Sequence, residues 1–176
     1  MAIGPLRSER SPAPRQGGVR HVERRVFVNA PPRIVWATLG DPLNVARLFP
    51  ELKLGPAEPA WPAASACRRG RVRLGLLRSE ATLESLEARP SSTFRLRIAA
   101  ATFDEEWCWR LQPRAGGTLV VHAATFQSGD RVASLLVRLG RDSVEDRVEA
   151  HLRAVKSIAE DDWTRSQQRP RESRLS

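Results

Sequence analysis

The hydrophobic pattern in the last third of the chain predicts one long amphipathic helix. Between residues 130 and 160, apolar residues recur at steps of three, four or five, which places them on one face of a helix. Asp130 suits the start of this helix, because an acidic side chain near the first turn interacts favourably with the helix dipole. A helix with such a stripe needs an apolar surface to cover. The predicted stripe comprises Val132, Leu135, Leu136, Leu139, Val144, Val148, Leu152, Val155 and Ala159.

Upstream of this helix, the pattern changes from helical spacing to alternation. Residues 22–28 predict a first strand, because Val22, Val26 and Val28 share one face of it. Two short helices follow at residues 33–39 and 43–48, each bounded by proline. The next segment, residues 51–66, is rich in proline and predicts an edge strand with an irregular loop.

The middle of the chain predicts a meander of strands joined by short turns. Strands connected in this way pair antiparallel. A one-residue slip in the alternation of the second of these strands indicates a β-bulge. With the first strand, the meander gives about six to seven strands in one curved antiparallel sheet. We therefore predict an α+β protein whose sheet wraps around a long C-terminal helix, with two short helices after the first strand. The meander strands are predicted at residues 69–74, 80–88, 94–100, 105–111 and 118–126.

Composition narrows the class of protein. The chain has 176 residues, which favours one domain, and its 41% hydrophobic content suffices for a core. No apolar run is long enough for a membrane span, and the N-terminus lacks the apolar segment of a signal peptide. Cys67 and Cys108 are too far apart in sequence for a C-x-x-C motif, so we expect neither a metal site nor a disulfide framework. These features predict a cytoplasmic protein.

The net charge of +9 would favour a nucleic-acid partner if it were concentrated on the folded domain. More than half of it lies in residues 1–19 and 163–176, which lack hydrophobic periodicity and are rich in Arg, Ser, Pro and Gln. We predict that both segments are disordered basic tails around a domain at residues 20–162. The distribution argues against nucleic acid as the main partner. Binding of the tails to nucleic acid or anionic membrane remains an alternative.

Three segments together resemble a known family. Residues 22–52 contain a strand, an APP-x-x-V-W helix start, a DP break and a helix that ends near FP. Residues 109–122 read WRLQPRAGGTLVVH, similar to a W-x-L-x-P-x-x-G-G-T-x-V hairpin, and Leu-Arg-Ala-Val-Lys at 152–156 lies in the terminal helix. In their order and spacing, these segments resemble the bacterial polyketide cyclase/dehydrase-type branch of the START-like (SRPBCC) superfamily of helix-grip proteins.

The resemblance implies a helix-grip fold that encloses a cavity between the sheet and the C-terminal helix. It implies binding of a hydrophobic or amphipathic small molecule there, such as a lipid or a polyketide, by a monomer or homodimer without a metal or other cofactor. Some members of the branch catalyse aromatic cyclisation or dehydration with polar side chains in the cavity. This chain has no tyrosine, and in this respect it differs from family members with polar side chains in the cavity. Our first expectation is therefore binding, and an aromatase/cyclase- or dehydratase-like activity is the alternative.

The candidate ligand-binding residues follow from strand parity and from this fold. Trp107 and Trp109 share one face of a strand, where they would stack on a flat ligand or simply fill the core. His122 lies mid-strand and would either contact a ligand in the cavity or be satisfied by its neighbours. The full predicted set is Trp107, Trp109, His122, Thr125, Phe94, Leu136 and Val148, and no catalytic residue is assigned.

The other titratable residues receive structural interpretations. Residues 104–106 are an acidic run, which would supply an acid–base pair or, as we favour, form a solvated end of a hairpin. Cys108 has opposite parity to the tryptophans and no histidine base implied nearby. His21 borders the N-terminal tail and His151 adjoins the helical stripe, so both are interpreted as structural.

Overall fold

The computed structural model describes residues 19–56, 61–128 and 143–168. Within these ranges the chain forms seven strands and three helices, in the order strand, two short helices, six strands and one long helix. The strands are β1 (Val19–Val28), β2 (Leu52–Leu54), β3 (Cys67–Leu74), β4 (Leu77–Arg89), β5 (Thr93–Ala100), β6 (Phe103–Arg114) and β7 (Gly117–Ser128). The helices are α1 (Pro32–Gly40), α2 (Val45–Leu48) and α3 (Val144–Gln168).

All seven strands belong to one antiparallel sheet in the order β1-β7-β6-β5-β4-β3-β2. Sequence neighbours pair except at β1, which closes onto β7 and brings the two ends of the domain together. The turn from β6 to β7 uses Gly116 at φ +80°, a conformation that glycine adopts without steric cost. The prediction of an α+β helix-grip fold is confirmed.

Helix α3 lies across the concave face and runs parallel to β1. Its start is set by a reciprocal cap, in which Ser143 Oγ accepts from the Asp146 backbone N–H at 3.1 Å while the Asp146 carboxylate accepts from Ser143. Farther along, Lys156 Nζ donates to the Phe27 carbonyl, and Glu160 accepts from the Asn29 backbone N–H at 2.7 Å. These contacts fix the helix along the first strand.

The core fills the space between the concave face of the sheet and α3. Alternate residues of β5, β6 and β7 point into it, as the period of two in the sequence predicts. On α3, Val148, Leu152 and Val155 are buried at helical spacing. The predicted β-bulge is confirmed, because the pairing of β4 with β5 shifts between Ser85 and Glu87.

The described residues correct the predicted domain boundaries. Strand β1 begins at Val19, and α3 continues to Gln168, so the prediction of disorder from residue 163 is wrong for residues 163–168. The reason is Trp163, which packs against the core while the Arg33 guanidinium lies 5.5 Å from its ring centre. The first part of the predicted long helix, residues 130–142, lies outside the described residues, as do the remaining parts of both predicted tails.

Candidate functional site

The centre of the concave face is aromatic. Trp109 of β6 pairs with His122 of β7 across the sheet, and their rings stack with centres 3.6 Å apart and planes within 6° of parallel. Trp107 meets the same imidazole edge-on, at 6.1 Å and 90°. All three side chains are at most 1% exposed. The stacked pair holds the His122 ring in a fixed orientation toward α3.

A chain of hydrogen bonds links His122 to the edge of the domain. His122 Nε2 lies 3.2 Å from His151 Nδ1 on α3, and His151 Nε2 lies 2.7 Å from Oε1 of Glu51. Glu51 sits in the turn between α2 and β2, and Phe49 from the same turn packs edge-on against the His151 ring at 4.9 Å. Three distant segments therefore build one buried Glu51–His151–His122 chain.

The electrostatics of this chain favour an ionised Glu51 at one end and a neutral His122 at the other. Burial, and then the charge of His151, hold the pKa of His122 well below its ordinary value. Burial alone would raise the pKa of Glu51, but its hydrogen bond to His151 and the charge of that ring outweigh burial and lower the pKa. Because a carboxylate only accepts hydrogen bonds, His151 Nε2 carries the hydrogen in their contact. The arrangement can therefore hold or move a proton along a fixed path.

A second polar contact lies one helical turn away. Arg147 precedes His151 by four residues on α3, and its Nη2 donates to Glu105 Oε1 of β6 at 2.6 Å. Both side chains are buried, at 6% and 1% exposure. Within the described part of the chain, Arg147 Nε and Nη1 and Glu105 Oε2 have no hydrogen-bond partner, and neither do the indole nitrogens of Trp107 and Trp109. Such orphaned groups are uncommon in protein interiors.

The edge of the sheet carries an open groove of about 650 Å³. Its lining includes Pro50 and Glu51 from the turn before β2, Lys53 of β2, and Arg73 and Arg78 from the β3–β4 hairpin. Glu51 thus belongs both to the groove and to the buried hydrogen-bond chain. Of the predicted ligand-binding residues that the structure describes, none lines this groove.

The structure brings most of the predicted site residues together. Trp107, Trp109 and His122 form the aromatic centre described above. Phe94 of β5 is the cross-strand neighbour of Trp109, and Val148 lies on the buried face of α3. These positions face the interior between sheet and helix, as strand parity and helical spacing predict.

Thr125 and Leu136 are the remaining members of the predicted set. Thr125 does not face the interior, because its parity is opposite to that of His122 and Ala124. Its hydroxyl instead contacts His21 Nδ1 at 3.0 Å on the exposed face of the sheet. The placement of Thr125 in the cavity was therefore wrong. Leu136 lies outside the described residues.

Four polar residues of the concave face were missed, namely Glu51, Glu105, Arg147 and His151. The prediction of a solvated acidic run is wrong for Glu105, which is buried with the tryptophans at alternate positions of β6. Parity with Trp107 was the signal in the sequence that placed it inside. Arg147 and His151 share a helical face with Val144 and Val148, which gave a similar signal.

Cys108 lies on the opposite face of β6 and is half-buried. Burial raises the pKa of its thiol, which disfavours the thiolate that a nucleophile needs. Among residues 19–56, 61–128 and 143–168, no group of three or more His, Cys, Asp or Glu side chains is arranged to hold a metal ion. In the same ranges, no helix combines the length and apolar character needed to cross a membrane.

Solved structures of three other proteins show the same fold. The Zhui aromatase/cyclase from Streptomyces is 23% identical over 81% of this chain and 94% of its own, with a TM-score of 0.57. A Thermus thermophilus protein is 21% identical over 80% and 97%, with a TM-score of 0.60. Norcoclaurine synthase of Thalictrum flavum, solved as a point mutant with a transition-state analogue, is 9% identical over 84% and 98%, with a TM-score of 0.62.

Among proteins with curated functions, none matches this chain. The sequence profile of one family, polyketide cyclase / dehydrase and lipid transport, matches residues 19–160. This range covers the whole sheet and most of α3, and it includes every residue of the concave face discussed above. The resemblance read from the three sequence segments is thereby confirmed, and the chain belongs to the polyketide cyclase/dehydrase and lipid transport family.

Proposed function

We propose that this protein binds a hydrophobic or amphipathic small molecule, lipid- or polyketide-like, between the concave face of the sheet and α3. The observation that carries the proposal is a set of buried polar atoms that have no hydrogen-bond partner among the described residues and lie on a largely aromatic and aliphatic face. A domain stabilised only by packing gains nothing from such groups, because an unpaired buried polar group is costly. A bound molecule with matching polar groups would satisfy them.

The chemistry of the face supports a flat or partly unsaturated ligand. Indole rings supply large rigid apolar surfaces and one N–H donor each. The neutral state of His122 lets its ring contact an apolar ligand without the cost of a buried charge. Two proteins that share this fold at low identity are named as enzymes, an aromatase/cyclase and norcoclaurine synthase.

Two neighbouring alanines on β7 provide a matched test. Ala124 is buried on the concave face, whereas Ala123 points to the other face. In a titration with Nile red, a neutral hydrophobic dye, we expect saturable one-to-one binding to the wild-type protein. The Ala124→Leu variant should bind at least about tenfold more weakly because the added side chain occupies ligand space. The Ala123→Leu variant should bind like the wild type.

Thermal unfolding checks that both variants fold, and mass spectrometry of the purified protein before and after solvent extraction gives an independent readout. A small hydrophobic molecule released in near-stoichiometric amount would support binding even if Ala124→Leu did not fold. Absence of saturable dye binding by the wild type, or equal binding by the two folded variants, would remove the proposal.

One observation favours a second candidate function, in which the bound molecule undergoes cyclisation or dehydration. The Glu51–His151–His122 chain resembles the carboxylate–histidine arrangements that move protons in enzymes. Mass and chromatographic retention of a polyketide-like test molecule incubated with the protein distinguish the two candidates. Loss of one water would indicate dehydration, and an unchanged mass with altered retention would indicate cyclisation without loss of water. Recovery with both mass and retention unchanged would indicate binding alone.

A further inference from the structure

We propose that Arg147 and Glu105 form the polar subsite of the binding site proposed between the sheet and α3, and that the subsite selects ligands with an uncharged carbonyl group over carboxylates. This inference rests on the proposed function and adds the chemical class of the ligand. It concerns two residues, 42 positions apart, whose contact neither the sequence pattern nor the family match predicts.

Among the described residues, most of the unpaired polar groups around this pair are hydrogen-bond donors. Arg147 uses only Nη2 toward Glu105, at 2.6 Å, and its Nε and Nη1 remain without partners in the described residues. The indole nitrogens of Trp107 and Trp109 add two more donors on the neighbouring concave face. Among the described residues of this face, the unpaired groups that can accept are Glu105 Oε2 and, in one of its tautomers, His122 Nδ1. The excess of donors calls for a ligand atom that accepts hydrogen bonds, which is an oxygen.

The charges of the pair disfavour a carboxylate on the ligand. The Glu105 carboxylate already neutralises the Arg147 guanidinium, and both side chains are at most 6% exposed. A ligand carboxylate at the free N–H groups would add a second negative charge beside Glu105, away from water. Burial of an unbalanced charge is strongly unfavourable, and two carboxylates close together repel each other. A carbonyl oxygen accepts the same hydrogen bonds without adding charge.

The pair lies between the helix and the sheet, beside the aromatic centre. Arg147 reaches from α3 across to β6, so the pair spans the two layers between which the ligand is proposed to lie. Glu105 shares its face of β6 with Trp107, two residues along, and Arg147 lies one turn before His151. The subsite is therefore continuous with the aromatic centre. A flat ligand stacked there would extend its polar end toward the guanidinium.

A purely structural ion pair is the competing explanation, and it leaves Arg147 Nε and Nη1 unexplained. An arginine placed only to pair with a carboxylate commonly does so through two parallel hydrogen bonds. The chain contains that arrangement elsewhere, since Arg97 Nε and Nη2 donate to the two oxygens of Asp104 at 2.7 and 2.8 Å. The Arg147 contact uses one bond and keeps the rest of the fork available.

Three ligands of one ring size test the subsite in the full-length protein. Acetylnaphthalene carries a ketone, ethylnaphthalene lacks only the oxygen, and naphthoate carries a carboxylate. Dissociation constants come from displacement of Nile red, and the paired variant is Arg147→Leu with Glu105→Leu, which leaves no lone charge. We expect its affinity for acetylnaphthalene to fall at least about tenfold, as loss of a hydrogen bond to a charged group implies. Its affinity for ethylnaphthalene should change less than about twofold.

The outer-face pair provides the matched control, because Arg97→Leu with Asp104→Leu removes the same two side-chain types and should leave all three constants unchanged. If the inner-face variant does not fold, Arg147→Lys keeps the charge beside Glu105 while removing the forked donors, and the same selective loss for the ketone is expected.

The outcomes separate the two proposals. Equal losses for acetylnaphthalene and ethylnaphthalene would assign the pair a structural role and overturn the inference while leaving hydrophobic binding intact. Naphthoate as the tightest wild-type ligand would also overturn it, in favour of an anion site. If none of the three ligands displaced the dye and the dye itself did not bind saturably, the proposed function would fail together with the inference.

Discussion

Asp104 and Glu105 are adjacent in sequence, each contacts an arginine, and they lie on opposite faces of β6. On the outer face, Asp104 accepts two hydrogen bonds from Arg97, with side chains 39% and 42% exposed. On the concave face, Glu105 accepts one bond from Arg147, with side chains 1% and 6% exposed. The pair with the better geometry is the one in water.

The difference shows that the contribution of an ion pair to stability depends on whether the pair is exposed or buried. Exposed pairs contribute about 0–1 kcal/mol, because water and salt screen both charges whether or not they meet. A buried pair has lost its hydration, so each charge depends on the other, and removal of one partner is far more costly than removal of both. The outer pair therefore contributes little to stability, whereas the inner pair joins α3 to β6 and constrains the position of the helix on the sheet.

The largest expected effect comes from breaking the inner pair on one side only. The Arg147→Leu variant leaves the Glu105 carboxylate buried without its counter-charge, and we expect the free energy of unfolding to fall by about 3–5 kcal/mol. Adding Glu105→Leu should recover most of that loss, because two leucines fit an apolar interior. Urea unfolding monitored by circular dichroism at neutral pH measures both variants. A double variant no more stable than the single one would contradict this view of the pair.

The next effect concerns pH and the His122 ring. Its folded-state pKa lies well below the ordinary 6.5, so below that pH the unfolded chain binds a proton that the folded protein does not. Stability should therefore fall as the solution is acidified from about pH 6.5 to 5, with a slope of up to about 1.4 kcal/mol per pH unit from this ring. In the His122→Leu variant this contribution of up to about 1.4 kcal/mol per pH unit, which corresponds to one proton, should disappear.

The groups that face His122 affect the same experiment and fix its window. His151 and Arg147 lower the pKa of the His122 ring from α3, and the lowered pKa of Glu51 adds acid sensitivity only below its ordinary 4.5. Measurement above about pH 5 therefore isolates the histidine contribution. His21→Gln on the exposed face is the comparison variant, since it also removes one histidine but leaves the buried chain intact. Identical slopes for wild type and His122→Leu would disprove the assignment.

The smallest effect is expected on the outer face. Replacing Asp104 with Asn removes the charge of an exposed pair, and the free energy of unfolding should change by about 0.2–1 kcal/mol. Addition of salt should reduce the difference further, because screening weakens an exposed pair more than a buried one. Urea midpoints at low and high salt measure both quantities. If Asp104→Asn lowered the free energy of unfolding as much as Arg147→Leu, the proposed difference between the exposed and the buried pair would be wrong.

The concave face was partly predictable from residue order. Trp107, Trp109 and His122 were placed inside by alternation, and the structure stacks two of them within 3.6 Å. The same rule applied to Glu105 gives the correct face. The preference of charged side chains for solvent predicts the opposite environment, and the burial of Glu105 shows that parity is the stronger signal here.

Other parts of the site could not be read from the chain by local rules. Glu51 and His151 are 100 positions apart, and only the packing of α3 against the α2–β2 turn brings their atoms within 2.7 Å. Thr125 lies on the outer face, as its position in the alternation predicts, because parity and not residue type decides which face of a strand a side chain occupies. Long-range polar partners carry no periodic signature of their own.

The sequence by itself determined the class of fold, the strands and turns, the long C-terminal helix and the inward set of apolar residues. These features depend on periodicity and turn chemistry, which are local properties of the chain. The tertiary structure alone decided which charged side chains meet inside, and hence the Glu51–His151–His122 chain and the Arg147–Glu105 pair. The physical reason is that a buried charge is stable only beside a partner, and the fold determines which partner is within reach.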